Sequence, residues 1–455
     1  RYAPSPTWYR QFLYEEERER GLDCVEDLAS PGVFTWDLDG TANPEAELVL
    51  TTSPEWRGLA ITGDVAAECQ AIRERERARI ERVSSRMERA AEAYLVQRGA
   101  RRTIIAGYPW FTDWGRDTFI ALRGLCLATG RVADAEAILL SWCDQLSDGM
   151  LPNLFPSGGA APEYNSVDAS LWFVVAVRAL SNATSGQVPQ IPAPFIAACD
   201  EILTRYSRGT RYGIRMDSDG LLAAGAPGVA LTWMDAIVDG VPVTPRAGKA
   251  VEVQALWINA LEFAASWNTR WRVTAARARD SFAKRFWNER HGCLFDVVDV
   301  DHMAGAVDDR LRPNQVFACG GLPLALVEGT RAKSIVDVLV KELWTPMGLR
   351  TLACSEPGYV GRVDGPLRER DRGYHQGTVW PWLTYAFLDA WTRANGTTWD
   401  AARERFLPAL LRHVETAGSG HVSEIADGDA PHEPRGCPLQ AWSLGELLRV
   451  TRATE

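Results

Sequence analysis

The segment Tyr108-Pro-Trp-Phe-Thr-Asp-Trp-Gly-Arg-Asp-Thr-Phe-Ile-Ala-Leu-Arg-Gly-Leu125 runs from an aromatic loop straight into an apolar helical pattern. Its rings stand beside an adjacent Arg116-Asp117 pair. A pyranose has C–H faces that stack on aromatics, and a hydroxyl rim that takes bidentate hydrogen bonds from charged side chains. Trp110, Trp114, Arg116 and Asp117 are therefore candidate sugar ligands. A buried ion pair at a helix start, flanked by core aromatics, fits the same residues.

Loop followed by apolar helix then recurs along the chain. Apolar spacing predicts helices over 71–97, 117–130, 133–147, 167–181, 194–206, 250–267, 270–288, 314–327, 331–342, 376–394, 399–415 and 438–450. Between them, long loops over 148–166, 207–249, 289–313, 343–375 and 416–437 alternate with short connections. Loops longer than about 12–15 residues between packed helices are usually functional. Long loops after every second helix emerge on one face of a ring of helical hairpins. The expectation is an all-α fold, an (α/α)6 toroid or barrel with a funnel at one end, filling 71–455. A helical solenoid is the rival, but no repeat recurs at a fixed period. Residues 1–70 read as a short β-like remnant, with strands over 33–40 and 45–52 and a turn at Asp39-Gly40. That zone has too little apolar content to stand alone, and is expected to be the tail of an N-terminal β-rich domain or a docking segment. The chain opens on Arg1, which leads us to expect a fragment of something longer.

Composition narrows the partners. The 49 basic and 59 acidic residues leave a net charge of −10, which disfavours nucleic acid and anionic membranes and suits a neutral ligand. No apolar run reaches the length of a membrane span. The nine cysteines form no CxxC pair and no Cys/His cluster, so we expect reduced thiols in a cytoplasmic protein, with neither disulfides nor a metal. The 18 tryptophans serve an aromatic-lined sugar funnel or a large helical core equally well.

The long loops set carboxylates beside aromatics. In Leu231-Thr-Trp-Met-Asp-Ala236, Asp235 follows Trp233 in apolar surroundings, where desolvation would keep a proton on a general acid; an N-cap is the plainer role. The last long loop offers Glu424, Asp427, Asp429 and Glu433 as bases; Asp427-Gly428-Asp429 lacks EF-hand spacing. Glu424 lies in a short apolar run, and Glu433 could equally be a substrate ligand. Hydroxyl-binding chemistry is concentrated in Arg312, Asn314 and Gln315, in Tyr374, His375, Gln376 and Trp380, and in Tyr164 and Asn165. Asp168 and Trp172 fall one helical turn apart.

In order along the chain stand Trp114-Gly-Arg-Asp117, Tyr164-Asn-Ser-Val-Asp-Ala-Ser-Leu-Trp172, Trp233-Met-Asp235, Arg312-Pro-Asn-Gln315, Thr345-Pro-Met-Gly-Leu-Arg-Thr351, Tyr374-His-Gln-Gly-Thr-Val-Trp-Pro-Trp382 and Pro431-His-Glu-Pro-Arg-Gly-Cys437. Together, over about 100–450, they closely resemble glycoside hydrolase family 133, the amylo-α-1,6-glucosidase part of glycogen debranching enzymes. The N-terminal Trp8-Tyr9 and Glu26-Asp27-Leu28 are similar to the tail of the β-domain that precedes the barrel in bacterial members. The resemblance implies an (α/α)6 barrel and inverting, exo-acting hydrolysis of single α-1,6-linked glucose stubs on glycogen or an α-glucan oligosaccharide, with no cofactor. It implies Asp235 as general acid. It implies Glu424 as base, by analogy with the Ser-Glu dipeptide of glucoamylase-like barrels. It implies Arg116 and Asp117 as the grip on the terminal glucose. Eukaryotic debranching enzymes also carry a transferase domain, which nothing in these residues resembles. Glucoamylase- or trehalase-like hydrolysis, an inverting disaccharide phosphorylase and a non-catalytic carbohydrate-binding protein are the alternatives.

Overall fold

In the computed structural model the Gly115–Leu122 helix follows the aromatic loop and is buried along its whole length. The structure describes all residues except 20–22, 40–45, 49–64, 84, 100, 156–160, 185–190 and 454–455. The chain divides into two units: Arg1–Arg89 with Asp364–Leu367, and Ala90–Val363 with Arg368–Glu455. This division falls beyond the boundary expected near residue 70.

In the first unit, strand Tyr2–Leu13 pairs antiparallel with Val25–Phe34, with register shifts between Pro4 and Thr7 and between Tyr9 and Phe12. Of the strand expected over 33–40, only Val33 and Phe34 belong to it. Of that expected over 45–52, only 46–48 are described, and they lie outside any strand. The Val65–Arg82 helix buries no residue. Pairs such as Arg79–Glu76, one turn apart at 2.6 Å, support it instead.

The second unit is mostly helical. Helices cover Gly115–Leu122, Val132–Cys143, Asp168–Thr184, Ala193–Arg208, Val251–Ala264, Arg270–Arg285, Gly329–Val338, Thr384–Asn395, Trp399–Phe406, Pro408–Thr416 and Ala441–Arg452. Three expected helices are cut short by local chemistry. The one over 71–97 is divided into Val65–Arg82 and Arg86–Glu92 and gives way to a hairpin, Leu95–Arg98 with Arg101–Ile104. The one over 314–327 shrinks to a 3-10 turn, Pro313–Ala318, ahead of Gly320-Gly321 and Pro323. The one over 376–394 begins only at Thr384, because Val379–Trp380 is a strand and Pro381 follows it. The last helix of the unit touches the Gly115–Leu122 region: Gly124 lies so close to Gly445 that an added Cβ would meet its carbonyl oxygen at 1.8 Å. Buried Arg123 and Glu446 join the same two segments at 3.1 Å.

The all-α expectation needs one correction. The long loops are not irregular throughout: they form small antiparallel sheets. The largest has five strands, in the order Trp344–Thr345, Gly348–Arg350, Val379–Trp380, Ile425–Ala426, Pro434–Arg435. Leu439–Gln440, just after the last long loop, pairs with Gly107–Tyr108 at the start of the aromatic segment. These strands are mostly two residues long, too short to leave a period-2 pattern in the sequence.

Candidate active site

Arg116 lies in the first turn of the Gly115–Leu122 helix and is 2% exposed. Its guanidinium donates from Nε to Asp168 Oδ1 at 2.9 Å, from Nη1 to Asp235 Oδ2 at 3.0 Å and from Nη2 to Ser166 Oγ at 3.3 Å. Ser166 in turn donates to Asp168 Oδ1 at 2.6 Å and accepts from the Ala169 amide at 3.1 Å, which caps the Asp168–Thr184 helix. One planar fork thereby fixes two carboxylates distant in the chain, Asp168 at a helix start and Asp235 in a loop. Among these ion-paired side chains, Arg116 and Asp168 are 3% and 1% exposed, whereas Asp235 is 29% exposed. The cluster is therefore reached from solvent through Asp235. Burial raises the Asp235 carboxyl above its ordinary range, against the pull of Arg116.

Glu424 reaches the same place from the last long loop. Strand pairing of Val379 with Ala426 brings the 374–380 segment alongside it. The Tyr374 hydroxyl donates to Glu424 Oε1, and the Cys437 amide donates to Oε2 at 2.8 Å. Burial nonetheless pushes the Glu424 carboxyl up to about 7, with the charge of Asp235 adding to the rise. Asp117 completes a triad of carboxyls. Burial pushes it up to about 8; the Arg116 charge opposes this, and the charges of Asp235 and Glu424 add to it. The Gln440 amide donates to Asp117 Oδ1 at 3.4 Å. Asp117, Asp235, Glu424 and Tyr374 thus sense one another's charge. Among the described residues no cluster of His, Cys, Asp and Glu has the makings of a metal site.

The remaining candidates separate by what already occupies them. Trp233 and Trp380 are each 2% exposed, and His375 is fully buried. His375 stacks on Trp380 at 5.0 Å, and Trp233 meets both edge-on, at 5.4 and 5.3 Å. These rings, expected among the substrate-binding residues, are packed against one another. Burial, reinforced by the Arg312 charge, lowers the His375 pKa well below the usual imidazole range, so the ring is neutral.

Arg312 donates from Nη1 to the carbonyls of Thr351 and His375 at 3.0 and 2.9 Å, and from Nη2 to Gln376 Oε1 at 3.0 Å. The Gln376 amide nitrogen is held by Thr244 at 2.8 Å. Asn314 accepts from Trp233 Nε1 and donates to Asp296, both at 2.8 Å. Gln315 accepts from the Leu294 amide at 3.0 Å. These four residues, expected as sugar ligands, are buried and internally bonded, so they frame the site. Tyr164 is likewise occupied: its hydroxyl donates to Gln145 O at 3.0 Å, and Arg211 covers its ring at 4.8 Å. Asn165 donates to Glu163 at 3.4 Å and keeps a buried oxygen without a protein partner.

Trp114 meets Phe111 edge-on at 6.2 Å, and Trp110 stands 53% exposed. Glu433 is exposed, with its backbone carbonyl taken by the Asp427 amide. Asp427 is bound by Arg435 and the Val363 amide, and Asp429 by the Tyr359 hydroxyl, so both hold the loop together. Sequence reasoning missed Ser166, Gln440 and the Cys437 amide. Only the Tyr-Asn-Ser motif hinted at the first.

Two carboxyls raised by burial and within reach of each other's charge are groups that a glycoside hydrolase can use. Residues 89–449 match the amylo-alpha-1,6-glucosidase family, and the chain belongs to that family. Residues 1–44 match the glycogen debranching enzyme N-terminal family. The glycogen debranching enzyme of Saccharomyces cerevisiae is 26% identical over 462 residues, covering 76% of this chain and 30% of that protein. The chain therefore spans less than a third of the length of that curated relative. Among solved structures, an uncharacterized conserved protein from Thermus thermophilus shares the fold at 16% identity, with a TM-score of 0.55 over 80% of this chain and 100% of its own. A GH78 family rhamnosidase of Bacillus sp. GL1 aligns at 15% identity and a TM-score of 0.47, over 74% of this chain and 31% of its own. Among the described residues no helix is long and apolar enough to cross a membrane.

Proposed function

We propose that this chain removes single α-1,6-linked glucose units from branch points of glycogen or a similar α-glucan, as an exo-acting, inverting hydrolase. Asp235 gives its proton to the glycosidic oxygen. Glu424 takes a proton from a water that attacks the opposite face of the ring. Arg116 and Asp117 grip the far hydroxyls of the terminal glucose, so one sugar enters. The helices of residues 90–455 close into an (α/α)6 ring, with the long loops at the mouth, and the segment before them is the tail of a β-rich domain.

The observation that carries this reading is the meeting of two carboxyls, 189 positions apart in the chain, each with a raised pKa and each held by a different device. Asp235 is the more open of the two and is gripped by a cation. Glu424 is buried and held by a phenol and a backbone amide. Two carboxyls whose environments differ in this way suit one acid and one base. Glu433 is exposed and lacks such support, which favours Glu424 as the base. Contact between the last helix and the first of the same unit supports the closed ring.

The test is proton NMR of glucose released from a glucosyl-branched dextrin. The β-anomer should appear first. Asp235→Asn and Glu424→Gln should each lower turnover by about 10²–10⁴-fold, the usual share of acid–base catalysis. Early α-glucose would reject inversion, and near-normal turnover in either variant would remove that residue from its role.

A further inference from the structure

The loop that bears Asp235 rests on a buried polar framework with no direct contact to the reacting groups. Arg246 sits beneath it, with Glu252 and Asp296; in their ion pairs all three side chains are 2% exposed. Arg246 forks onto both carboxylates, with Nη2 to Glu252 Oε2 at 2.6 Å and Nε to Asp296 Oδ2 at 2.7 Å. Its Nη1 also reaches Thr232 Oγ1 at 3.2 Å. Asp296 Oδ1 accepts from Asn314 Nδ2 at 2.8 Å, and Asn314 Oδ1 accepts from Trp233 Nε1 at 2.8 Å. The same Asn314 nitrogen lies 3.7 Å from Met234 Sδ. Thr232, Trp233 and Met234, the three residues before Asp235, are thus each held by this framework. On the far side, the Val243 amide donates to the Ala236 carbonyl at 2.9 Å.

A buried network of two carboxylates, one guanidinium and one amide is a costly way to hold a loop unless its geometry matters. Asp235 is the one residue of that loop ion-paired to Arg116. We infer that Arg246, Asp296 and Asn314 are positioning residues that aim the Asp235 carboxyl at the leaving oxygen and keep it against Arg116. This rests on the reading of Asp235 as proton donor. Misplacement of a reacting group by about 1 Å costs on the order of 10²-fold in rate.

The experiment compares two substrates in the full chain: an α-1,6-linked glucosyl dextrin, whose leaving group needs a proton, and α-glucosyl fluoride, whose leaving group does not. Asn314→Ala and Trp233→Phe, the latter keeping a ring but removing the Nε1–H donor, should lower kcat on the dextrin about 10–100-fold. KM should change little, and turnover of the fluoride should fall by less than about a third of that factor. The limb of the pH–rate profile that belongs to the acid should move as well. Equal losses on both substrates, or no loss in Trp233→Phe with intact folding, would overturn the inference. Asp235→Asn serves as the control: if that variant also fails to spare the fluoride, the assignment of Asp235 as proton donor is what has failed.

Discussion

Asp117 allows a quantitative test of the electrostatics, because Asp117→Asn removes a titration while keeping nearly the same shape. Its carboxyl is pushed from 3.8 to about 8 by burial and by the nearby charges of Asp235 and Glu424, against the pull of Arg116. Between these two values the folded protein keeps a proton that the unfolded chain has released. Stability contributed by such a group is complete below the unfolded pKa and is lost as pH rises toward the folded one. Each pH unit within the window removes about 1.36 kcal/mol. From about pH 5 to pH 7 the loss is about 2.5 kcal/mol, and the asparagine variant escapes it. Up to pH 7 Asp117 is mostly protonated and as neutral as the asparagine that replaces it, so Glu424 titrates nearly alike in both proteins. Urea unfolding followed by tryptophan fluorescence, at both pH values, gives the difference directly. Asp117→Asn should gain about 2.5 kcal/mol on the wild type in going from the lower to the higher pH. A stability difference that stays constant with pH, or that moves against the asparagine variant as pH rises, would refute the claim that Asp117 is held protonated.

Three further outcomes follow from the site. Tyr374→Phe removes a hydrogen bond to the ionised Glu424, worth about 1.5–3 kcal/mol, so the Glu424 carboxyl should titrate at least about 1 unit higher when followed by infrared spectroscopy; an unmoved titration would mean the phenol is not its donor. At Gly436, where φ is +64, an added Cβ would lie 2.3 Å from Glu424 Oε2, so Gly436→Ala should lower turnover more than about tenfold with a smaller effect on melting temperature. Gly124→Ala, by contrast, drives a methyl into the Gly445 carbonyl far from the carboxyls; calorimetry should show a destabilisation of about 1–3 kcal/mol, and a neutral result would argue against the tight contact of these two segments.

Helix positions were legible in the chain because they rest on local rules. The apolar spacing within Asp168–Thr184 or Ala441–Arg452 is set by a backbone repeat that any window of residues reports. The motifs around Arg116, Asp235 and Glu424 were legible as candidate chemistry because they set charged residues beside aromatic ones in order along the chain. What the same motifs do with each side chain was not. Asn314 and Gln315 read as sugar ligands, yet their amides are consumed by Trp233, Asp296 and the Leu294 backbone. Trp233 and Trp380 read as substrate-binding residues, yet they and His375 pack against one another.

The sequence by itself determined that this is a helical carbohydrate-processing chain of the amylo-alpha-1,6-glucosidase family, and which few carboxylates deserve suspicion. Tertiary structure alone decided that Arg116 meets Asp235 across 119 positions, that Tyr374 meets Glu424 across 50, and that two-residue strands such as Val379–Trp380 and Ile425–Ala426 bring the loops together. The physical reason is that helix formation depends on neighbours in the chain, whereas desolvation and charge coupling depend on neighbours in space, which no window of residues contains.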